Sequence, residues 1–144
     1  KYYGCREYGD FYAKAMSVFG KKYLERWKPD LIVPVPLHPR KKRMRGFNQA
    51  AYLAERLSVL TGIPWNEHLV KKIRSTRSQK KLNAMQRRQN LKNAYQVTEK
   101  IPGFSVLVVD DVYTTGSTAD AMAMCLLEAG AEKVYFLTIC AGRA

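Results

Sequence analysis

The stretch from Ser105 to Gly130, SVLVVDDVYTTGSTADAMAMCLLEAG, decides the fold of this chain. It joins an apolar, β-branched run at 106–109 to two acids, Asp110 and Asp111. A turn rich in hydroxyl groups follows, and then a segment with helical periodicity that Gly130 closes. This order predicts a buried parallel strand that leads through a ligand-binding loop to the N-terminus of a helix.

The loop between this strand and helix carries groups suited to a phosphorylated sugar. Backbone N–H groups at the helix N-terminus and the hydroxyls of the turn from Thr114 to Thr118 suit one phosphate. The two carboxylates suit sugar hydroxyls, and a hydrated Mg²⁺ that is held through the ligand. In an open α/β sheet these groups meet in the crevice at the carboxyl ends of the strands.

Two other interpretations of the same stretch stay open. An ordinary strand–turn–helix with a Thr or Ser cap would need no ligand at all. A Walker B strand would also end in acids, although the chain contains no G-x-x-x-x-G-K-[ST] motif that would supply the accompanying phosphate loop.

The distribution of charge favours an anionic partner. The 144 residues carry a formal net charge of +13, and 14 of the 25 cations lie in the segments 40–45 and 71–92, which contain no acid. Such segregation fits a polyphosphate or a nucleic acid. The segment 71–92 has no aromatic residue, so DNA contact there would involve mainly phosphates and would weaken with salt.

Length and composition predict a single domain over 1–144, because 144 residues with 47% hydrophobic content can bury one substantial core. No apolar run approaches the roughly 18 residues of a membrane span, and no signal peptide is visible, so we expect a cytoplasmic protein without membrane insertion. The three cysteines lack C-x-x-C spacing, and the sequence indicates no metal site made by the protein alone.

The rest of the chain supplies the other elements of an α/β domain. Hydrophobic periodicity predicts helices over Tyr8 to Trp27 and Phe47 to Leu60, and strands over Leu31 to Val35, Leu69 to Ile73, Tyr95 to Thr98 and Lys133 to Ile139. With the strand before Asp110 these give five strands, and we expect a doubly wound α/β domain around a central parallel sheet.

The eleven residues VVDDVYTTGST at 108–118 resemble the phosphoribosyl pyrophosphate (PRPP) motif of type I phosphoribosyltransferases. The resemblance implies that Asp110 and Asp111 bind the ribose hydroxyls. It also implies that the loop around the 5-phosphate consists of Tyr113, Thr114, Thr115, Gly116, Ser117 and Thr118. PRPP would then be the substrate or ligand, and Mg²⁺ would be bound through it.

In the type I fold, the loop after the first strand holds pyrophosphate. Here Pro34 and Pro36 remove two backbone donors, so the strand must become irregular, and the loop that follows, from Pro36 to Gly46, is strongly cationic. We expect Arg40 and Arg45 to contact the pyrophosphate. His38 in the same loop could act on a base or leaving group, or have a structural role.

The run VPVPLHPRKKRMRGFNQAAYLA at 33–54 narrows the resemblance to the competence protein F (ComF) family of phosphoribosyltransferase-like proteins linked to DNA uptake. Together with the PRPP motif, this similarity covers almost the whole chain. In type I enzymes the segment matching Arg74 to Lys92 is a flexible flap that closes over PRPP, and an exposed linker with a short capped helix is the alternative. The ComF pattern is matched here by Gln79, Leu82, Arg87 and Asn90.

The resemblance leaves three functions open. The chain could be a DNA-uptake factor that binds PRPP, competence-machinery proteins and single-stranded DNA, the last through segments 40–45 and 71–92. It could be a phosphoribosyltransferase acting on a nitrogenous base or amine, with Asp110, Asp111 and Arg45 as catalytic residues. It could also be a PRPP-responsive regulator without turnover. Many ComF-like proteins carry an N-terminal zinc module, which here would have to precede Lys1.

Overall fold

The computed structural model describes residues 6–74 and 94–142. Its helices are α1 (Arg6–Phe19), α2 (Lys21–Trp27), α3 (Pro39–Arg45), α4 (Gln49–Thr61) and α5 (Ser117–Glu128). Its strands are β1 (Leu31–Pro34), β2 (Val70–Lys72), β3 (Tyr95–Val97), β4 (Ser105–Tyr113) and β5 (Lys133–Ala141). Most of the predicted basic flap, with Gln79, Leu82, Arg87 and Asn90, lies outside the described residues.

The main sheet is parallel and has the strand order β1-β4-β5. Ile32 of β1 is in register with Leu107 of β4, and Val108 of β4 is in register with Phe136 of β5. The run 106–109 of β4 is fully buried, as expected for a central parallel strand that has both faces covered. The predicted strand before the acid pair is therefore confirmed, and it is the middle of the sheet.

Alternate residues of the sheet face two different layers. Ile32, Leu107 and Val109 pack in one cluster with residues of α1, α2 and α4. Val33, Val106 and Val108 pack in a second cluster with residues of α5 and of β2 and β3. Because helices cover both faces, the predicted doubly wound α/β architecture is confirmed.

The arrangement of the five strands differs from the prediction. All five occur, but β2 and β3 form a separate antiparallel pair in which Val70 is opposite Val97. Each of these strands begins with a buried residue followed by an exposed one. This alternation suits an antiparallel ribbon with one packed face, whereas a parallel strand in the middle of a sheet is buried on both sides.

The predicted helix over Tyr8 to Trp27 is in fact two helices, α1 and α2, which meet at Gly20. The N–H of Gly20 donates to Met16 O over 2.9 Å, and the carbonyl of Gly20 accepts from Leu24 as α2 begins. A Cβ at Gly20 would collide with the Met16 carbonyl oxygen. The junction between the two helices therefore depends on the missing side chain of Gly20, which the hydrophobic periodicity does not reveal.

The cationic loop is also more regular than predicted, because Pro39–Arg45 forms the short helix α3. Pro39 occupies the first turn, where its missing N–H costs nothing. His38 caps the helix by accepting the N–H of Arg40 at Nδ1 over 3.3 Å. Gly46 ends it with φ of 79°. These contacts therefore support a structural role for His38.

Helix α4 begins and ends close to where the sequence predicts. The side chain of Asn48 caps it by accepting the N–H of Ala50 over 3.1 Å, and Nδ2 of Asn48 donates to Val35 O over 3.0 Å. Gly62 closes the helix with φ of 75°. Across the described residues, no helix has the length and apolar character that crossing a membrane requires.

Candidate functional site

The acid pair lies at the carboxyl edge of the parallel sheet. The register of β1 with β4 ends at Pro34 and Val109, and the N–H of Val35 donates to Val109 O over 2.9 Å. Asp110 and Asp111 follow directly, and both are partly buried rather than enclosed in the core. This is the edge at which ligands bind in open α/β sheets.

Three of the six expected loop residues lie in regular elements instead: Tyr113 is in β4, and Ser117 and Thr118 are in the first turn of α5. β4 continues past the acids along β5, and Tyr113 is in register with Ala141. The bend between strand and helix is therefore limited to Thr114, Thr115 and Gly116. β4 extends as far as Tyr113 because β5 is nine residues long and pairs with β4 beyond the point where β1 ends.

The two acids interact with each other. The backbone N–H of Asp111 donates to Oδ1 of Asp110 over 2.8 Å. Burial raises the pKa of Asp110 to about 7, and the adjacent Asp111 carboxyl also raises it, while the N–H bond and the charge of Lys72 act in the opposite direction. The site therefore contains a carboxyl that changes charge near neutral pH.

The bend after β4 presents hydroxyl and amide groups at the start of α5. Oγ1 of Thr115 lies 2.9 Å from Oγ of Ser117, and the first N–H groups of α5 have no carbonyl within the helix to bond. Gly116 precedes the helix with φ of 77°, a conformation that glycine adopts without strain. A Cβ there would lie 2.6 Å from the Tyr113 hydroxyl, so the end of the Tyr113 side chain lies beside Gly116.

The β2–β3 pair contacts the same edge from the α5 side of the sheet. Burial raises the pKa of the buried Tyr95 to about 12, while the side chain of Thr118 acts in the opposite direction. The Nζ atom of Lys72 lies 5.2 Å from the centre of the Tyr95 ring. Tyr95 of β3 and Lys72 of β2 thus lie near the first turn of α5.

Lys72 and Lys41 are site residues that the sequence reasoning did not select individually. Burial lowers the pKa of the Lys72 ammonium, the positive charge of Lys41 lowers it further, and the negative charge of Asp110 raises it. The ammonium groups of α3 and β2 therefore act on each other beside the acid pair. The only local sequence signal for Lys72 is the alternation of side chains along a strand, which places Lys72 on the opposite face from the exposed Lys71.

The two arginines that we selected, Arg40 and Arg45, both belong to α3. Arg40 is exposed in the first turn of α3, and its backbone N–H is used by the His38 cap. Arg45 is the last residue of α3. Among the described residues, Lys72 is the cation whose charge acts on Asp110, and it belongs to a strand distant in sequence from both arginines.

A metal ion would find few protein ligands at this edge. In the part of the chain that the structure describes, no group of three or more His, Cys, Asp or Glu side chains is placed to hold a metal. The site has two adjacent carboxylates, and the pKa of one of them, Asp110, is about 7. Such a pair suits a hydrated Mg²⁺ that is bound through a phosphate ligand better than it suits a Mg²⁺ ion bound by protein side chains alone.

Comparison with protein families and curated proteins gives consistent matches. The family model described as "Phosphoribosyl transferase domain" matches residues 6–144. The DNA utilization protein YhgH of Escherichia coli K12 is 41% identical over 112 residues, which is 78% of this chain and 49% of the relative. Competence protein F of Haemophilus influenzae is 40% identical over 109 residues, or 74% of this chain and 48% of that protein. The chain thus spans about half the length of the curated relatives it matches.

Solved structures show the same fold at low sequence identity. The purine phosphoribosyltransferase of Pyrococcus horikoshii has a TM-score of 0.55 and 19% identity, covering 89% of this chain and 71% of the other. The Bacillus subtilis glutamine PRPP amidotransferase has a TM-score of 0.57 and 20% identity, covering 93% of this chain and 25% of the other. The expected type I phosphoribosyltransferase fold is confirmed by these likenesses.

Proposed function

Since this chain belongs to the phosphoribosyl transferase domain family and has competence protein F among its relatives, we propose that it binds PRPP and serves DNA uptake in natural competence. The ribose would lie against Asp110 and Asp111, and the 5-phosphate would lie in the bend before α5. Residues 1–144 would form one domain, because the two hydrophobic clusters lie on opposite faces of one sheet.

The observation that supports PRPP most strongly is the continuity of the site along one segment. The carboxyl edge of β4 presents the acid pair, the bend follows at once, and α5 starts at Ser117. Two carboxylates match two ribose hydroxyls, and the amide and hydroxyl groups of the bend match a phosphate monoester. Tyr113 would close the bend from the strand side, and Thr118 from the helix side.

The pyrophosphate group would lie on the side of α3 and β2. Lys41 and Lys72 lie close enough to affect each other electrostatically, and like charges placed together beside a cleft favour a polyanion. Arg40 and Arg45 of α3 would add positive charge around the same group. Mg²⁺ bound through PRPP would neutralise part of the pyrophosphate charge.

Phosphoribosyl transfer to a nitrogenous acceptor is a second candidate function. It would require stabilisation of departing pyrophosphate, which Arg45, Lys41 and Lys72 would provide, and a ribose oriented by Asp110 and Asp111. One structural feature favours it: a large aromatic cavity reaches Asp111 from the α1 side of the sheet. Release of pyrophosphate from PRPP only when an acceptor is added would distinguish transfer from binding alone.

Calorimetric titration with PRPP and Mg²⁺, in the absence and presence of a single-stranded oligonucleotide, tests the proposed function. We expect saturable heat from PRPP, and competition if DNA uses the α3 side of the same site. Independent binding would place DNA on another surface. Titration without any PRPP heat, under conditions in which the protein is folded, would contradict PRPP binding.

A further inference from the structure

Helix α1 has an apolar face that the rest of the domain leaves uncovered. Ala13 and Met16 are buried against the sheet, as expected for one face of an amphipathic helix. Phe11, Val18 and Phe19 are instead 67%, 61% and 81% exposed. The hydrophobic periodicity that predicts this helix includes both phenylalanines, but neither ring belongs to the core.

The exposed apolar residues form a line along the helix. Phe11, Ala15, Val18 and Phe19 occupy positions i, i+4, i+7 and i+8, which is the spacing of side chains on a common face. Because successive residues of a helix are rotated by about 100°, this line is on the side turned away from Ala13. We call these four residues the outer stripe. Helix α1 thus carries two apolar stripes, of which the sheet covers one.

The outer stripe is held on a rigid base. The Phe11 ring meets the Tyr12 ring edge to face, with 5.6 Å between ring centres, and Tyr12 packs against the buried cluster between α1, α4 and the sheet. The Tyr52 hydroxyl of α4 donates to Oδ1 of Asp10 over 3.0 Å, and Arg56 of α4 forms an ion pair with the same carboxylate. Binding to a surface that is already ordered costs less conformational entropy.

The charges near the outer stripe favour a protein over a nucleic acid as the group that covers it. A nucleic acid requires cations beside the exposed rings, and Lys14 is the only cation among the described side chains of α1. The concentrated positive charge of the chain lies in the segments 40–45 and 71–92 instead. The outer stripe therefore offers burial of apolar surface rather than neutralisation of phosphates.

The area of this face suits an interface between two copies of the chain. With about 200 Å² for a fully exposed aromatic residue, Phe11, Phe19 and the adjoining Tyr8 expose roughly 400 Å² of ring surface. Two copies would together bury about 800 Å² of it, and Val18 with the surrounding polar atoms would bring the total to the roughly 1,000 Å² of a specific interface.

The matching apolar surface is also found on α1 itself. Among the described residues, no other helix exposes more than two large hydrophobic side chains, whereas α1 exposes four. A stripe of large side chains with a small one at its centre is self-complementary when two helices pack in opposite directions. The small residue at the centre of this stripe is Ala15.

From these observations we propose that two copies of the chain associate through the outer stripes of their α1 helices. A two-fold axis near Ala15 would place the helices antiparallel, so that Phe11 packs beside Val18 of the partner subunit and the reverse contact is identical. The small side chain of Ala15 would let the two backbones approach closely at the axis. The association requires neither PRPP nor DNA, because the outer stripe is turned away from the sheet.

Sedimentation equilibrium tests the association. With rising protein concentration, the measured mass should increase from 16.5 kDa towards twice that value. Phe11→Ser/Phe19→Ser should weaken the association at least about tenfold, because it removes the two largest apolar contacts of the interface. Val59→Ser/Leu60→Ser is the matched control, since it replaces two exposed apolar residues at the end of α4, and it should associate like the original protein.

Cysteine cross-linking tests the position of the two-fold axis. Ala15→Cys should form a covalent dimer in a buffer of oxidised and reduced glutathione, because the two introduced thiols would face each other across the axis. Val59→Cys places an exposed thiol on α4 and should cross-link no faster than the original protein. Both variants keep the native cysteines, so the comparison reports the introduced thiol alone.

A mass that stays at one copy at every concentration would overturn the proposal, as would equal association of the two double variants or equal cross-linking of the two cysteine variants. Association that disappears in high salt would indicate bridging by bound nucleic acid and would also contradict it. Circular dichroism would verify folding of each variant. PRPP heat measured on the same samples keeps the proposals separate, since a monomer that binds PRPP would disprove self-association alone.

Discussion

Asp111 donates its backbone N–H to the carboxylate of Asp110 over 2.8 Å. This bond joins adjacent residues that have different surroundings. Asp110 experiences the charge of Lys72, and Asp111 lines the aromatic cavity near α1. The acid pair is therefore the point at which the proposed PRPP site and the aromatic cavity meet, and the roles of the two acids can be separated by single substitutions.

Asp110 should make stability depend on pH between about 4 and 7. Its pKa is about 7 in the folded protein and roughly 4 when unfolded, so the folded state retains a proton that the unfolded state releases. The contribution of Asp110 to the free energy of unfolding is therefore largest at low pH and falls as pH rises towards 7. Asp110→Asn should be more stable than the original protein by about 1–2 kcal/mol at pH 8.

Urea denaturation of both proteins at pH 5 and pH 8 measures this effect. The advantage of Asp110→Asn should shrink at pH 5, where the original side chain is also neutral. Comparing the two proteins at each pH removes the contribution of all other titrating groups. An equal difference at both pH values would show that burial does not raise the pKa of Asp110.

Lys72 should contribute to pyrophosphate binding more than its neighbour in β2. Lys72→Gln is expected to weaken the binding of inorganic pyrophosphate about tenfold, because it removes a partly buried charge beside Lys41. Lys71→Gln removes an exposed charge one residue away and should have little effect. Calorimetric titration should show that ribose 5-phosphate binds the two variants equally well. If Lys72→Gln weakened the binding of pyrophosphate and of ribose 5-phosphate by the same factor, this placement of pyrophosphate would be wrong.

Gly116 should be intolerant of a side chain. Gly116→Ala introduces a strained positive φ of 77° and a Cβ at 2.6 Å from the Tyr113 hydroxyl, which the exposed Tyr113 side chain can relieve by moving. We expect about 1 kcal/mol of destabilisation with weaker ribose 5-phosphate binding, because the bend and Tyr113 are both displaced. Gly103→Ala is the matched control, since Gly103 has φ of 68° but nothing within 4 Å of a new Cβ. It should lose about 1 kcal/mol and keep its affinity for ribose 5-phosphate.

The sequence predicts much of this fold because the informative patterns are local. The buried run before Asp110 and the helix predicted over Phe47 to Leu60 each depend on neighbouring residues, and the structure confirms both. The break at Gly20 is different, because it depends on the contact of one glycine with the preceding helix turn. Hydrophobic periodicity continues through it and predicts a single helix.

The composition of the site is harder to predict than its position. The PRPP motif locates the acid pair and the bend, but Lys72 reaches them only because β2 pairs with β3 and that ribbon packs on α5. No local pattern specifies which strands pair when they are distant in sequence. The aromatic cavity has the same origin, since its rings converge from α1, α4 and the chain around Phe47 and Trp65.

Single-stranded DNA binding, if it uses α3, should depend steeply on salt. The logarithm of the association constant should fall linearly with the logarithm of salt concentration, and Arg40→Gln should reduce the slope by about 0.7. Lys133→Gln removes a cation from the start of β5, where it pairs with Glu132, and should leave the slope unchanged. Affinity that stays constant from low to high salt would exclude binding through phosphates.

The most direct test of PRPP binding is a calorimetric comparison of carboxylate substitutions. Asp110→Asn/Asp111→Asn should bind PRPP with Mg²⁺ at least about tenfold more weakly, since two charge-assisted hydrogen bonds to ribose hydroxyls are lost. Glu99→Gln, an equivalent change at an exposed turn, should bind like the original protein. Unchanged PRPP affinity in a folded double variant would contradict the assignment of the acid pair to the ribose.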